Sequence, residues 1–373
     1  MARLAAHTYL PSSASPVAPV RFSAMEITGK VLIVLLAVFL LVAPPWMSCN
    51  AQPPDEVARG IQLYRDGKMK EAVSVLGAAV KKQRDNPDAW HILGLAQYKI
   101  GDTKPALKSF ENAIKLRPDF APARISLAVI LLSLGKMREA GREAEQAIKL
   151  NPQSHDAYYV LGQVRLWEDK PAEALKAVDA ALQINNRFPA ASLLKALTLL
   201  RSSMQQTSAP DRKRPSKPGD PVSGGGEEYQ PYKLLSEAAA NLETYLKYNQ
   251  DVAENEFWRE QLEAMRFYAE RAEKKKSANL RPELEAGYLR PTILYKEKAK
   301  YTKEASDAGV HGMCLLKVEF AADGKVKHIM VLQDPGYGLA QEAVRAASKI
   351  RFIPVMKDRK PVSFVGNVEY NFN

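Results

Sequence analysis

The side chains that carry catalysis or hold metals are few in this chain, and they are dispersed. The five histidines are His7, His91, His155, His311 and His328, scattered from end to end. No HExxH, GxSxG, P-loop or GxGxxG stands in a supporting context. Two cysteines, Cys49 and Cys314, are too few for a disulfide scaffold or a Cys-based zinc module. Cys314 alternates with apolar residues in a strand pattern, which predicts a buried, inert thiol. The adjacent carboxylates Glu227-Glu228 lie in a polar stretch with no acid or base partner. The expectation is a non-enzyme with no catalytic residue, cofactor or metal site. Whatever chemistry the chain does is the chemistry of binding.

The elements that position binding surfaces must fit into 373 residues, enough for about two or three domains. Apolar residues make up 46% and charged residues 25%, which excludes a wholly disordered chain. The net charge of +11 permits an acidic partner. No basic block with interleaved aromatics stands out, so the surplus reads as solvated surface and no nucleic-acid partner is expected.

Residues 1–51 read as an address. Lys30 flanks an unbroken apolar run, Val31 to Ala43. As a helix the run is about 20 Å long, short of the roughly 30 Å hydrocarbon core of a bilayer. Pro44 and Pro45 end it, and Cys49-Asn50-Ala51 places small residues before Gln52, a plausible cleavage site. Met25 reads as the start and export as the fate, giving a periplasmic or envelope-associated protein. An uncleaved inner-membrane anchor and a lipoprotein tethered at Cys49 are the alternatives.

Residues 53–250 carry a period of 34. Gly60, Gly94 and Gly162 share a phase, with Ala128 in the third slot. Gly67, Gly101 and Gly135 share another, followed by Asp169. Ala72, Ala106, Ala140 and Ala174 form a third series, and Ala79, Ala113, Ala147 and Ala181 a fourth. Each unit reads as two amphipathic helices around a Gly-containing turn. The units run 53–86, 87–120, 121–154 and 155–188. A fifth begins at Pro189, reaches about Leu200, and resumes at Tyr232 to Tyr248. Residues 202–230 between them are polar, with Arg212-Lys213-Arg214-Pro215 and Gly224-Gly225-Gly226, and read as a disordered insert. A long helix from about Val252 to Lys275 follows, within a segment 251–287 read as a capping helix and linker; its polar end suits a cap on a repeat array.

Trp90-x-x-Leu93-Gly94 with Ala106, Phe110, Ala113 and Pro118 resembles the tetratricopeptide repeat (TPR). The resemblance implies an all-α solenoid whose first helices line a peptide-binding groove, here through His91, Tyr98, Tyr159, Gln163 and Trp167. Val57, Ile61 and Ile92 stand where the family's carboxylate-gripping members place polar residues, so that specificity is not expected.

Residues 288–373 change period. A short helix near Thr302–Ala308 ends at Gly309, and a strand from Gly312 to Phe320 alternates Cys314, Leu316, Val318 and Phe320 onto one face. Ala322-Asp323-Gly324 signals a hairpin, and Lys325 to Leu332 returns. A helix from Leu339 to Ile350 and a last strand from Val362 to Phe372 complete an α-β-β-α-β order, with Gly366 a candidate bulge. The expected fold is a small α+β domain, a three-stranded antiparallel sheet with helices on one face.

Tyr301-x-x-x-Ala305, Gly309-x-x-Gly312, Phe320-x-x-Asp323-Gly324-x-Val326, Arg351-Phe352-x-Pro354 and Lys360-Pro361-Val362 resemble the C-terminal domain of the TonB energy transducers. Thr302 replaces the family's usual Pro and Arg359 its usual Gly, both at turns. The resemblance implies that the last strand adds an extended partner segment to its edge, here through Ser363, Val365, Asn367, Glu369 and Asn371. It also implies protein partners, among them a TonB-dependent outer-membrane transporter. Motor coupling in that family uses a membrane helix carrying Ser and His, and the run Val31 to Ala43 has neither. The sequence therefore reads as an envelope protein–protein interaction protein. An energy transducer and an assembly scaffold are the alternatives.

Overall fold

The structure is a computed structural model that describes residues 55–208, 231–249, 252–277 and 290–373. The N-terminal apolar run, Cys49, the Arg212–Pro215 and Gly224–Gly226 stretches and the linker 278–287 lie outside the described residues. Compactness divides the described chain between Ser126 and Leu127 into two units.

The first unit holds α1 (Glu56–Arg65), α2 (Met69–Lys82), α3 (Pro87–Lys99), α4 (Thr103–Leu116) and the start of α5 (Ala121–Ser133). Asp55 and Asn86 cap α1 and α3, accepting from the amides of Val57 and Ala89. Gly67 and Gly101 turn each pair with positive φ. Within a pair the helices approach closely because glycine faces a large side chain. A Cβ at Gly60 would stand 2.4 Å from Leu76, and one at Gly94 2.6 Å from the Phe110 ring. In the second unit a Cβ at Gly162 would stand 2.7 Å from Val178. The same phase explains the exception. Where Ala128 replaces glycine, the facing slot of the period holds Ala144, and both are fully buried.

The second unit continues with α6 (Met137–Leu150), α7 (His155–Trp167), α8 (Pro171–Ile184), α9 (Pro189–Ser208), α10 (Pro231–Tyr248) and α11 (Val252–Ser277). The turn before α8 has Asp169 at φ 59 where other units have glycine, a conformation Asp tolerates better than most residues. Its carboxylate accepts from Arg201 Nε at 2.7 Å and Gln205 Nε2 at 3.0 Å. The Arg201 guanidinium holds that carboxyl below its usual range. These contacts lie beyond Leu200, and α9 runs to Ser208. Residues 202–208, expected in the disordered insert, are therefore helix. Lys195 ties this interrupted unit together, bridging Asp179 on α8 and Glu237 on α10 at 2.9 and 3.1 Å.

The C-terminal elements are β1 (Thr292–Tyr295), α12 (Lys303–Asp307), β2 (Gly312–Phe320), β3 (Val326–Gln333), α13 (Leu339–Ser348), β4 (Arg351–Ile353), β5 (Val355–Lys357), β6 (Lys360–Val362) and β7 (Phe364–Phe372). The sheet has the order β3-β2-β7 and is antiparallel throughout. Cys314, Leu316, Val318, Phe320, Val368, Tyr370 and Phe372 face α13 across one core. Burial pushes the Cys314 thiol up to about 12, so it stays protonated.

Several details correct the sequence expectation. The last strand begins at Phe364, because Lys360–Val362 turns back on Val355–Lys357 as a separate hairpin. The β2–β7 register is unbroken at Gly366, so that residue marks no bulge. It is glycine because a Cβ there would stand 2.7 Å from the Phe364 ring. The bulges lie on the other side, between β2 and β3, where His328 takes φ 45. Thr302, in the proline position of the resemblance, caps α12 and donates to the Tyr337 carbonyl at 2.7 Å. Arg359 adopts φ 61 beside Asp358 at φ 50, the left-handed turn for which glycine is usual.

His91, expected in a groove, is a core residue. It is 3% exposed, lies 3.0 Å from Ser126 Oγ through Nε2, and packs against the rings of Phe110 and Phe120. Burial holds its pKa down at about 4, against 6.5 ordinarily. Between those values the unfolded chain binds a proton that the folded chain refuses. Stability is then complete above pH 6.5 and falls as pH drops toward 4, by up to about 3 kcal/mol. NMR should show the His91 ring neutral down to about pH 4, and denaturant unfolding should show the same acid loss; titration near 6.5 would refute the burial. Gly94→Ala should lower stability by about 1–3 kcal/mol through overpacking against Phe110, read as a reduced urea midpoint. An unchanged midpoint would mean that α3 and α4 part without cost.

Candidate functional site

A three-stranded sheet exposes two rows of backbone N–H and C=O groups, one per edge strand. The two edges here meet different fates. Along β3, the side-chain amide of Gln261 on α11 takes the place of a neighbouring strand. Its Nε2 donates to the Ile329 carbonyl at 3.2 Å, and its Oε1 accepts from the Val331 amide at 2.8 Å. The Tyr268 hydroxyl donates to the His328 carbonyl at 2.8 Å. Gln261 is 1% exposed. Trp258, Leu262, Met265 and Tyr268 share one apolar cluster with Met330, and Leu332 and Val365 pack against it. The His328 ring stacks on Phe267 at 3.8 Å and its Nδ1 lies 2.7 Å from Glu319. The helix expected to cap the array is thus also the cover of a sheet edge, and its apolar face is shared between α10 and β3.

Along β7 no strand pairs on the outer side among the described residues. The Glu369 carbonyl accepts from Lys296 Nζ at 2.6 Å, so the backbone of Glu369 points outward. Strand residues alternate sides, which places the backbones of Val365, Asn367 and Asn371 on the same open edge. The side chains of Asn367, Glu369 and Asn371 are exposed, whereas Val365 is half-buried. Ser363, expected on this edge, precedes the strand, and its Oγ accepts from the Ala322 amide at 3.2 Å. It braces the turn of the β2–β3 hairpin.

Beside this edge lies a groove of about 690 Å³. Phe320, Ile350 and Phe364 line it, with Ile293 of β1, and Arg290, Lys296 and Glu369 also reach it. Ile293 is 43% exposed. Burial raises the Tyr370 hydroxyl to about 12, and Lys296 lies over its ring, 4.4 Å from the centroid. Sequence reading missed Lys296, Arg290 and the strand β1. The signal available was the run Thr292-Ile293-Leu294-Tyr295 after Pro291, in which Thr292, Ile293 and Tyr295 are of high strand propensity.

The expected repeat-groove residues divide. His91 is in the core, as described. Tyr159 and Gln163 are each 2% exposed and bond to one another at 3.2 Å, with the Tyr159 ring 5.0 Å from Phe188. None of these three is available to a peptide. Tyr98 is half-buried, and Trp167 is 56% exposed. Helical phase predicted their direction, while the depth of the neighbouring helix decided their burial.

The Gram-negative bacterial TonB protein C-terminal family matches residues 297–373. The tetratricopeptide repeat family matches residues 57–119, 93–147 and 126–187. Among solved structures, PilF of Pseudomonas aeruginosa is 17% identical, with 60% of this chain and 88% of that chain covered at a TM-score of 0.44. A thermophilic TPR protein of Thermus thermophilus is 18% identical, with 56% and 96% covered at 0.40. MamA from Desulfovibrio magneticus is 20% identical, with 41% and 89% covered at 0.38. No curated protein matches the chain in sequence. The chain carries tetratricopeptide repeats followed by a TonB C-terminal domain, two non-catalytic folds of protein–protein interaction.

Proposed function

We propose that this is an exported envelope protein that joins two partners: the repeats hold one, and the C-terminal sheet takes an extended segment of the other as an added strand on β7. The observation that carries the reading is the asymmetry of the two edges. A buried glutamine amide and a tyrosine hydroxyl satisfy β3. Beyond β7 lies a groove of mixed lining, Phe320, Ile350, Phe364 and Ile293 alongside Arg290, Lys296, Asn367 and Glu369. Main-chain hydrogen bonds supply affinity in such capture, and alternate side chains of the incoming strand supply fit. An outer-membrane transporter with an extended, accessible segment is the partner that the TonB resemblance suggests. The repeats contribute Trp167 as an exposed aromatic of the kind that anchors interfaces.

Export is the second half of the proposal and rests on the run Val31 to Ala43 with its flanking Lys30. No helix among the described residues is long and apolar enough to cross a membrane. An energy transducer is the competing reading, favoured by the TonB match alone. N-terminal mass analysis from fractionated cells separates them. A mature start at Gln52 in the soluble envelope fraction is expected, and a start at Met25 in the inner membrane would turn the proposal into transduction.

Strand capture is tested with a fluorescent, strand-forming peptide of alternating Val and Thr and the full chain. Asn367→Pro removes an outward N–H while leaving the ladder to β2 intact, since proline is tolerated on edges. Binding should be lost in Asn367→Pro with the circular dichroism spectrum retained, and a peptide N-methylated on alternate amides should fail against the native chain. Undiminished binding in both experiments would sink the β7 assignment.

A further inference from the structure

The positive charge of this chain is not evenly spread. Residues 290–300 carry Arg290, Lys296, Lys298 and Lys300 against Glu297, and residues 349–360 carry Lys349, Arg351, Lys357, Arg359 and Lys360 against Asp358. These two segments, which pair as β1 and β4, hold a net +7 of the chain's +11. We propose that the outward face of the β1–β4 ribbon, with the β5–β6 hairpin that follows it, is a docking surface for an anionic phospholipid bilayer. The inference is independent of strand capture at β7.

The register sorts the two faces of the ribbon. Ile293 pairs with Phe352, and Phe352 is buried, so that pair faces inward, Ile293 toward the groove. Thr292 pairs with Ile353 and Tyr295 with Arg351, and alternation puts these on the opposite face. Leu294 stands at the irregularity between Ile293 and Tyr295. The apolar side chains here are open to solvent: Leu294 is 64% exposed, Ile353 51% and Tyr295 48%. Met356 on β5 is 50% exposed and lies at most about 11 Å along the chain from Ile353. Of the ten large apolar side chains exposed among the described residues, five fall on β1, β4 and β5. Scattered apolar residues on a surface are ordinary, but a cluster of them marks a contact.

The charges around that cluster say what the contact is. Lys349 bridges Glu297 at 2.9 Å, and Arg290 and Lys296 reach the groove beside β7. Within the two segments that leaves Lys298, Lys300, Arg351, Lys357, Arg359 and Lys360, all exposed, against Asp358. The Arg351 guanidinium lies 5.5 Å from the centroid of the Tyr295 ring, so cation and aromatic are presented together. An acidic protein or a nucleic acid would use the cations and leave Leu294, Ile353 and Met356 in water. An anionic bilayer uses both. Its headgroup phosphates draw the cations, its acyl boundary takes the aliphatic side chains, and a tyrosine ring settles at the interface between them.

The test uses the full chain with vesicles of phosphatidylcholine alone or of equal parts phosphatidylcholine and phosphatidylglycerol. Hydrogen exchange, read segment by segment, should slow across residues 290–300 and 351–361 with the mixed vesicles and not with phosphatidylcholine alone. This local readout separates the ribbon from any contact made by the run Val31 to Ala43. Affinity is read as the lipid concentration that gives half of the protection. Lys298→Gln combined with Lys300→Gln and Lys360→Gln should weaken it by about fivefold for each charge removed, and added salt should weaken native binding. Leu294→Ser combined with Ile353→Ser should weaken it about tenfold, as expected for two partly inserted side chains. Both variants alter exposed positions and should keep the native circular dichroism spectrum. Exchange that does not slow in either segment would overturn the proposal. Full protection at unchanged lipid concentration in both variants would overturn it as well, by placing the contact elsewhere. A loss confined to the charge variant, with native affinity in Leu294→Ser/Ile353→Ser, would overturn the lipid assignment in favour of an acidic macromolecule.

Discussion

An unpaired strand edge is a demand as much as an opportunity, because each outward N–H and C=O must be satisfied by water, protein or ligand. In this chain the demand at β3 is met by one side chain that supplies both a donor and an acceptor. The Gln261 amide carries the same two groups as a peptide unit, so it substitutes for a strand at Ile329 and Val331. Glutamate would present a second acceptor to the Ile329 carbonyl, and leucine would leave both backbone groups buried without partners, at about 1–3 kcal/mol each. The amide sits in an apolar surround of Trp258, Leu262, Met265 and Met330, where hydrogen bonds are strong and their loss is costly. This contact joins the C-terminal sheet to α11 together with the Tyr268 hydroxyl and the apolar cluster around Met330, and it closes the edge at β3.

The repeat region obeys a simpler rule of volume. Glycine opposite Leu76, Phe110 or Val178 lets two helices close to backbone distance, and alanine appears where the facing residue is alanine. The interruption in the fifth unit costs little by comparison. Loop-closure entropy grows slowly with length, and the two helices on either side are joined by Lys195 to Glu237 and by a shared apolar cluster that includes Leu199, Leu200, Ala238 and Leu242. The same fragment of chain shows how a turn residue can take on a second task. Asp169 serves as the left-handed turn and, through its carboxylate, carries α9 a further two turns beyond its expected end.

Much of this was legible in the residues themselves. The period of 34 appears because the steric requirement at each close approach repeats, so Gly60, Gly94 and Gly162 announce it. The strand Gly312–Phe320 appears because one face is buried and the other is not, which forces alternation. Strands β1, β4, β5 and β6 have three or four residues each, too short for alternation to register. Gln261 was invisible for another reason: a single polar residue on an apolar helix face gives no hint of what faces it. Asn367, Glu369 and Asn371 lie on the unpaired side of β7 because backbone direction follows from strand order and register. His91, Tyr159 and Gln163 were misplaced because phase fixes the side of a helix on which a residue lies and says nothing of how deeply the next helix buries it.

The two edges differ finally in how firmly they are closed. Edge strands left bare invite association with any other bare strand. At β3 the closure is a buried amide within an apolar cluster, which opens only if helix and sheet separate. At β7 the side chains are polar at Asn367, Glu369 and Asn371, and the Glu369 carbonyl is met by an ammonium on a flexible stem. An ammonium is readily returned to water, so this closure is the weaker of the two, as the proposed capture of a strand at β7 requires. Both closures use hydrogen bonds of ordinary length. Burial makes one closure permanent and exposure makes the other reversible, so under the proposed strand capture the buried edge belongs to the fold and the exposed edge is the one a partner would take.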